Sequence, residues 1–190
     1  MTTHAQLRRG LRSRRGAATL SAGLLALAVG VPVAANGQSG QDGGSQPPDP
    51  IAVEVLSKHA AFPDDVSLQV KRKMSGQGAD VLNLKDAGHV VTARLVVQPG
   101  AAFPWHTHPG PVIVSVAEGE LVYQQASDCV EHIYGAQEAF VDPGPKVHTA
   151  WNPGGEETVL VATFYGVPMN PDGSPGAVTI PDPDQSERCG

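Results

Sequence analysis

Residues 99–119 read PGAAFPWHTHPGPVIVSVAEG, and the fold is decided by how this stretch is read. Two Pro–Gly pairs bracket a short segment that carries His106 and His108. On a β-strand successive side chains point to opposite faces, so residues i and i+2 share one face. Both imidazoles can then reach the same point. A second segment, DPGPKVHTAWN over residues 142–152, places His148 just past another Pro–Gly turn. Three imidazoles meeting on one metal ion inside a small β-barrel is the expectation this pattern raises.

The flanking sequence suits a barrel. From Ile51 on, short apolar runs alternate with turn signals. IAVEVLS (51–57), VSLQVKRKM (66–74), HVVTARLVVQ (89–98), VIVSVAEGELVYQQ (112–125), AFVD (139–142) and ETVLVATFYGV (157–167) all read as strands. In VSLQVKRKM the alternation is clean, with Val66, Leu68 and Val70 on one face and Ser67, Gln69 and Lys71 on the other. Between the runs lie FPDD, SGQGAD, KDAG, QPGAAFP, HPGP, ASDC, DPGP and NPGGEE, rich in the Gly, Pro and Asp that turns require. No segment keeps a helical period. With 22 glycines and 17 prolines, and only 17% charged residues, the composition fits short strands and many turns. A closed antiparallel sheet leaves no open edges, so a barrel or jelly roll is the natural architecture.

The two histidine segments resemble the paired motifs of the cupin superfamily. The first motif is a glycine, five residues, H-x-H, three or four residues, a glutamate, six residues and a glycine. Here Gly100, His106, His108 and Gly119 fall at matching positions. The second motif ends in P-x-G, two residues, a histidine, three residues and an asparagine. Gly135, Pro143, Gly144, His148 and Asn152 follow it, with the proline-to-histidine part shifted by one. The resemblance covers roughly residues 65–167. It implies an all-β, cupin-type jelly-roll β-barrel with a metal held inside. The motif's glutamate would fall at Val112 or Ile113, and neither side chain can bind a metal.

His106, His108 and His148 are therefore the expected metal ligands. Three neutral imidazoles suit a divalent transition metal, with Fe, Mn, Zn, Ni and Cu all open. Three protein ligands leave positions for water or substrate, as in catalytic sites. An ion with only neutral ligands keeps its full charge and should favour an anionic small molecule. Trp105, Val112 and Trp151 are the candidates for the walls of a ligand pocket. Asn152 reads as a turn anchor, and Glu118 and Asp142 read as turn residues. No motif places an acid as general base, so the metal would carry most of any chemistry. His59, His89 and His132 lack partner spacing and read as surface residues.

The N-terminus reads as an address. Arg8, Arg9, Arg12, Arg14 and Arg15 precede an apolar run, Leu20 to Val29, too short to span a bilayer. Residues 1–35 match a secretory signal peptide with cleavage after Ala35, and Ser13-Arg14-Arg15 leaves the twin-arginine route open. An uncleaved N-terminal anchor is the alternative. Residues 36–50 read as a flexible linker, 51–168 as the barrel, and 169–190 as a loose proline-rich tail with VTI as an edge strand. From Asn36 on, nineteen acidic residues against eight Lys or Arg leave a charge of −11, which argues against nucleic-acid binding. In an exported chain Cys129 and Cys189 can form a disulfide closing a loop of about 60 residues, with cross-linking of two chains and free thiols as alternatives.

Three functions stay open at this level. One is an exported metal-binding protein acting as a dioxygenase-type oxidoreductase on a small organic anion. A second is a module that holds a metal or small ligand without turnover. The third is a metal-dependent isomerase or hydrolase. The resemblance also implies that two barrels can pair as a homodimer, and the mature chain is not expected to span a membrane.

Overall fold

The structure is a computed structural model, which describes residues 49–189. The arginine-rich opening, the apolar run and most of the linker lie outside the described residues. Among the described residues no helix is long and apolar enough to cross a membrane.

The strands, in chain order, are β1 (Ile51–Ala61), β2 (Leu68–Lys73), β3 (Ala79–Leu84), β4 (His89–Val97), β5 (Ala102–Thr107) and β6 (Val112–Glu118). They continue with β7 (Glu120–Gln125), β8 (Glu131–Gly135), β9 (Ala139–Asp142), β10 (His148–Trp151), β11 (Thr158–Val167) and β12 (Ile180–Pro181). A single turn of helix, α1 (Ser186–Cys189), closes the described chain. Two five-stranded antiparallel sheets carry the jelly roll, ordered β1-β4-β11-β6-β9 and β12-β5-β10-β7-β8, and β2 pairs with β3 as a separate hairpin. From β4 to β11 almost every connection passes from one sheet to the other. The hairpin from β7 to β8 is the exception.

Alternation decides what fills the space between the sheets. Val91, Ala93, Leu95 and Val97 of β4 are buried while their neighbours are half-exposed, and Val112, Val114 and Val116 of β6 repeat the pattern. Leu160, Ala162 and Phe164 of β11 join them in one core, closed from the other sheet by Leu121, Tyr123 and Ala150. Each large apolar side chain buried this way contributes about 1.5–3 kcal/mol. The edge strand β1 is different, since Val53, Val55 and Leu56 are exposed.

The run VIVSVAEGELVYQQ does not form one strand. It splits at Gly119, where the chain leaves one sheet for the other with φ 76°. A Cβ there would sit 2.7 Å from the Glu157 carbonyl oxygen and 2.8 Å from Thr158 Oγ1, so only glycine fits. The structure also contains β3, β5, β8 and β10, which lay within or beside segments read as turns; β5 takes up the end of QPGAAFP.

The stretch after β11 is docked where a loose tail was expected. Val178 packs against the core, and β12 pairs antiparallel with β5 in the register Ile180↔Thr107 and Pro181↔His106. Asp182 N–H donates to the Trp105 carbonyl at 3.0 Å. A disulfide between Cys129, in the turn after β7, and Cys189 fastens the far end. Proline richness removes donors from this segment, but an edge strand needs only alternate ones, so prolines are tolerated there.

Candidate metal centre

His106 lies on β5 directly opposite His148 on β10, so the ladder register puts both rings on the same face. Their centroids are 4.2 Å apart. His108 follows one residue past the end of β5, and its ring lies 4.8 Å from that of His106 and 5.1 Å from that of His148. All three are buried. Their ligand atoms lie within 4.8 Å of one another, the only such group of three or more among the described residues.

Each of these rings has one nitrogen already committed. His106 Nδ1 donates to the Pro104 carbonyl at 2.6 Å, His108 Nδ1 to the Val178 carbonyl at 2.6 Å, and His148 Nδ1 to the Lys146 carbonyl at 2.8 Å. A carbonyl oxygen can only accept, so Nδ1 carries a proton in every case and Nε2 is the nitrogen of each ring left free to face the cavity. Outer partners that fix the tautomer in this way are what metal-binding histidines require. Burial lowers the pKa of His106 to about 4, and repulsion by His148 adds to that, against the opposing bond to Pro104. Burial also lowers that of His108. Both rings are then neutral at ordinary pH, which is the ligand form.

Two Pro–Gly loops hold the histidines in line. The loop 108–111 (HPGP) and the loop 142–145 (DPGP) press backbone to backbone, with His108 N–H donating to the Gly144 carbonyl at 2.8 Å. Gly144 has φ 90°, and a Cβ on it would overlap the Gly110 backbone. The Pro–Gly pairs of the two histidine segments are thus one packed joint.

The cluster opens into a cavity of about 220 Å³. That is the volume of roughly seven waters, enough for a small organic molecule. Its walls are almost wholly apolar, with Leu95, Phe103, Leu121, Phe140, Leu160 and Phe164 among them. Of the residues read as pocket walls, Trp105 and Val112 line it. Trp151 is half-buried on β10 and is not among the lining residues. The reason is parity. His148 and Ala150 face inward on β10, so Trp151 takes the opposite face. Asn152 is buried and anchors its turn, donating to the carbonyls of Val97 and Glu156 and accepting from Gly154 N–H. Thr179 and Pro181 of the C-terminal segment complete the cavity wall.

His59, His89 and His132 lie outside this cluster; His59 and His89 have rings 6.3 Å apart. The sequence reading missed two contributors. One is the C-terminal segment, which supplies both the acceptor for His108 and part of the wall. The other is Asp142. Its Oδ1 accepts from Gly144 N–H at 2.6 Å, the turn role expected of it. Its Oδ2, however, lies 2.7 Å from His148 Nε2 and 3.8 Å from His108 Nε2. A site pictured as purely neutral therefore contains a buried carboxyl group.

A family model described as a cupin domain matches residues 93–164, which contain all of these inward-facing residues except the C-terminal segment. No curated protein matches the chain. Among solved structures, a cupin-like protein from Thermotoga maritima is 29% identical over 39% of this chain and 55% of that one, with a TM-score of 0.36. The polyketide cyclase RemF from Streptomyces resistomycificus is 20% identical over 39% of this chain and 52% of that one, with a TM-score of 0.37. The cupin domain of an XRE family transcriptional regulator from Enterobacter cloacae is 16% identical over 60% of this chain and 95% of that one, with a TM-score of 0.39. The match spans about half the length of the first two.

Proposed function

Since the chain belongs to the cupin superfamily, we propose that it holds a divalent transition metal on His106, His108 and His148 and acts there on a small organic anion. The observation that carries this reading is the set of three Nδ1 atoms bonded to backbone carbonyls, which leaves the opposite nitrogens of three rings gathered in one cavity. When bound, the metal would supply Lewis acidity and, for a redox-active ion, electron transfer to oxygen. The chain's own residues do the rest. The apolar walls exclude water and strengthen attraction between the cation and an anionic ligand. Trp105 and the segment 178–181 close one side of the cavity. A dioxygenase-type oxidoreductase is the activity we favour, because a dry apolar chamber protects reactive species from water.

We propose further that the protein works outside the cytoplasm. Its leader-like residues 1–35 support this, as does the Cys129–Cys189 disulfide, a bond characteristic of oxidising compartments.

Metal analysis of protein purified without a histidine tag tests the first part. One equivalent of metal is expected, and His148→Ala should abolish it, weakening affinity by more than about 100-fold. No bound metal in the unaltered protein, with His148→Ala indistinguishable from it, overturns the reading. Oxygen uptake with the iron form across thiols, diketones and phenols then tests the activity. Uptake with none of them would favour a binding module and leave a metal-dependent isomerase or hydrolase open.

A further inference from the structure

We propose that Asp142 is the fourth protein ligand of the metal, supplied by β9 from the position directly across the ladder from Val112. The inference rests on the metal reading above and adds a residue to it. Four observations lead there.

The first is a pair of distances. His148 Nδ1 is bonded to the Lys146 carbonyl, so Nε2 is the ring nitrogen that faces Asp142, 2.7 Å from Oδ2, and His108 Nε2 lies 3.8 Å from the same oxygen. Ligand atoms each about 2.0–2.2 Å from one ion and at a right angle are about 3 Å apart. The two distances bracket that spacing.

The second is the absence of another partner. Asp142 is 2% exposed, and its only ion-pair partners among the described residues are His108 and His148. Burying a carboxylate with no counter-charge costs several kcal/mol. The nearby cations are engaged elsewhere, with Arg72 and Lys146 both on Asp80. A metal ion held among the histidines would supply that counter-charge.

The third is register. Val112 on β6 pairs with Asp142 on β9, and paired residues share a face of the sheet. Both line the cavity. Val112 is the inward-facing one of the two positions, Val112 and Ile113, where the first motif would carry its carboxylate, so that group would be displaced by one strand.

The fourth is preorganisation. The bond from Gly144 N–H to Oδ1 fixes the carboxyl rotamer and leaves Oδ2 directed at the histidines. One carboxylate among three imidazoles lowers the net charge of the centre from +2 to +1. The complementary ligand is then a monoanion, which narrows the substrate class to small molecules with one carboxylate, thiolate or enolate.

Cobalt(II) titration, followed by visible absorption and by competition with a chelator, tests the assignment. Asp142→Asn keeps an oxygen to accept from Gly144 N–H and removes the ligand charge. It should weaken cobalt binding by at least about tenfold and alter the ligand-field bands. The double variant Val112→Glu with Asp142→Asn restores a carboxylate from the opposite strand and should recover part of both. Unchanged affinity and bands in Asp142→Asn mean that Asp142 is only a charge neighbour, and they overturn the inference while leaving the three-histidine site intact. Failure of the unaltered protein to bind cobalt overturns both. Should Asp142→Asn not fold, a difference infrared spectrum of zinc-loaded minus metal-free protein labelled with 13C-aspartate decides. An aspartate carboxylate band that shifts on loading supports ligation, and no shift rules it out.

Discussion

Asp80 and Asp142 are both aspartates serving the same loop, and they meet opposite surroundings. Asp80, on the β2–β3 hairpin, accepts from Lys146 Nζ at 2.7 Å and from Arg72 Nη2 at 3.0 Å. Those cations, Lys146 first, hold its carboxyl below the usual range despite some desolvation. Asp142 faces imidazoles and apolar walls, with no lysine or arginine on it. The loop between them joins the two regions. Arg72 Nη1 donates to the Val141 carbonyl, and Lys146 spends its side chain on Asp80 and its carbonyl on His148 Nδ1. Outside, opposite charges pair and fix a position. Inside, a carboxyl group with no lysine or arginine on it lies against the histidines proposed to hold the metal. Identical chemistry becomes scaffold or site according to what the fold sets opposite it.

The comparison breaks most completely where the two loops touch. Gly144→Ala would drive a methyl group into the Gly110 backbone at a φ of 90°. We expect a loss of about 3 kcal/mol or more, within the range for strained backbone substitutions, with loss of metal binding. Thermal denaturation and metal analysis read both, and a stable, metal-loaded variant would show that the joint does not position the site.

Acid separates the two regions more finely. His106 has a pKa of about 4 in the folded protein against an ordinary 6.5. The unfolded chain therefore binds more protons between these values, and metal-free stability falls as pH drops from 6.5 to 4. The contribution is about 3 kcal/mol. Asp80 works in another window. Its lowered pKa contributes stability above the ordinary 3.8 that is lost only as pH falls through the folded value. Denaturant midpoints of metal-free protein between pH 7 and 3 should show two phases, and His106→Gln should remove much of the upper one. A single phase below pH 4 would contradict the burial of neutral histidines.

The smallest expected effect is on the outer pair. Asp80→Asn should cost about 1 kcal/mol, as part-exposed ion pairs do. Metal affinity should fall by less than about tenfold, because the Lys146 carbonyl keeps its place through the backbone. An effect as large as that of Asp142→Asn would mean that the outer network, and not the inner carboxyl, controls the centre.

Much of this arrangement was legible in the sequence wherever it depended on short spacing. His106 and His108 share a face because they are two apart, and Val112, Val114 and Val116 line one side of β6 for the same reason. His148 and Asn152 followed from a turn and a fixed interval. Long-range register was not legible. That Asp142 faces Val112 depends on how β6 and β9 align, and no local pattern reports it. As a residue before Pro–Gly it reads as a turn former, and it is one, through a single oxygen. The C-terminal segment was missed for a related reason. VTI reads as an edge strand, but that it pairs with β5 and reaches the histidines depends on long-range register. Trp151 shows how one step of parity moves a large side chain off the cavity wall.

The bond from His108 to the Val178 carbonyl crosses 70 residues of chain. During synthesis His108 therefore emerges long before the group that fixes its proton. A chain still lacking residue 178 can pair β5 with β10, yet His108 remains free to place its proton on either ring nitrogen. On the proposed reading, readiness for metal is thus reached only when the segment around Val178 docks on β5.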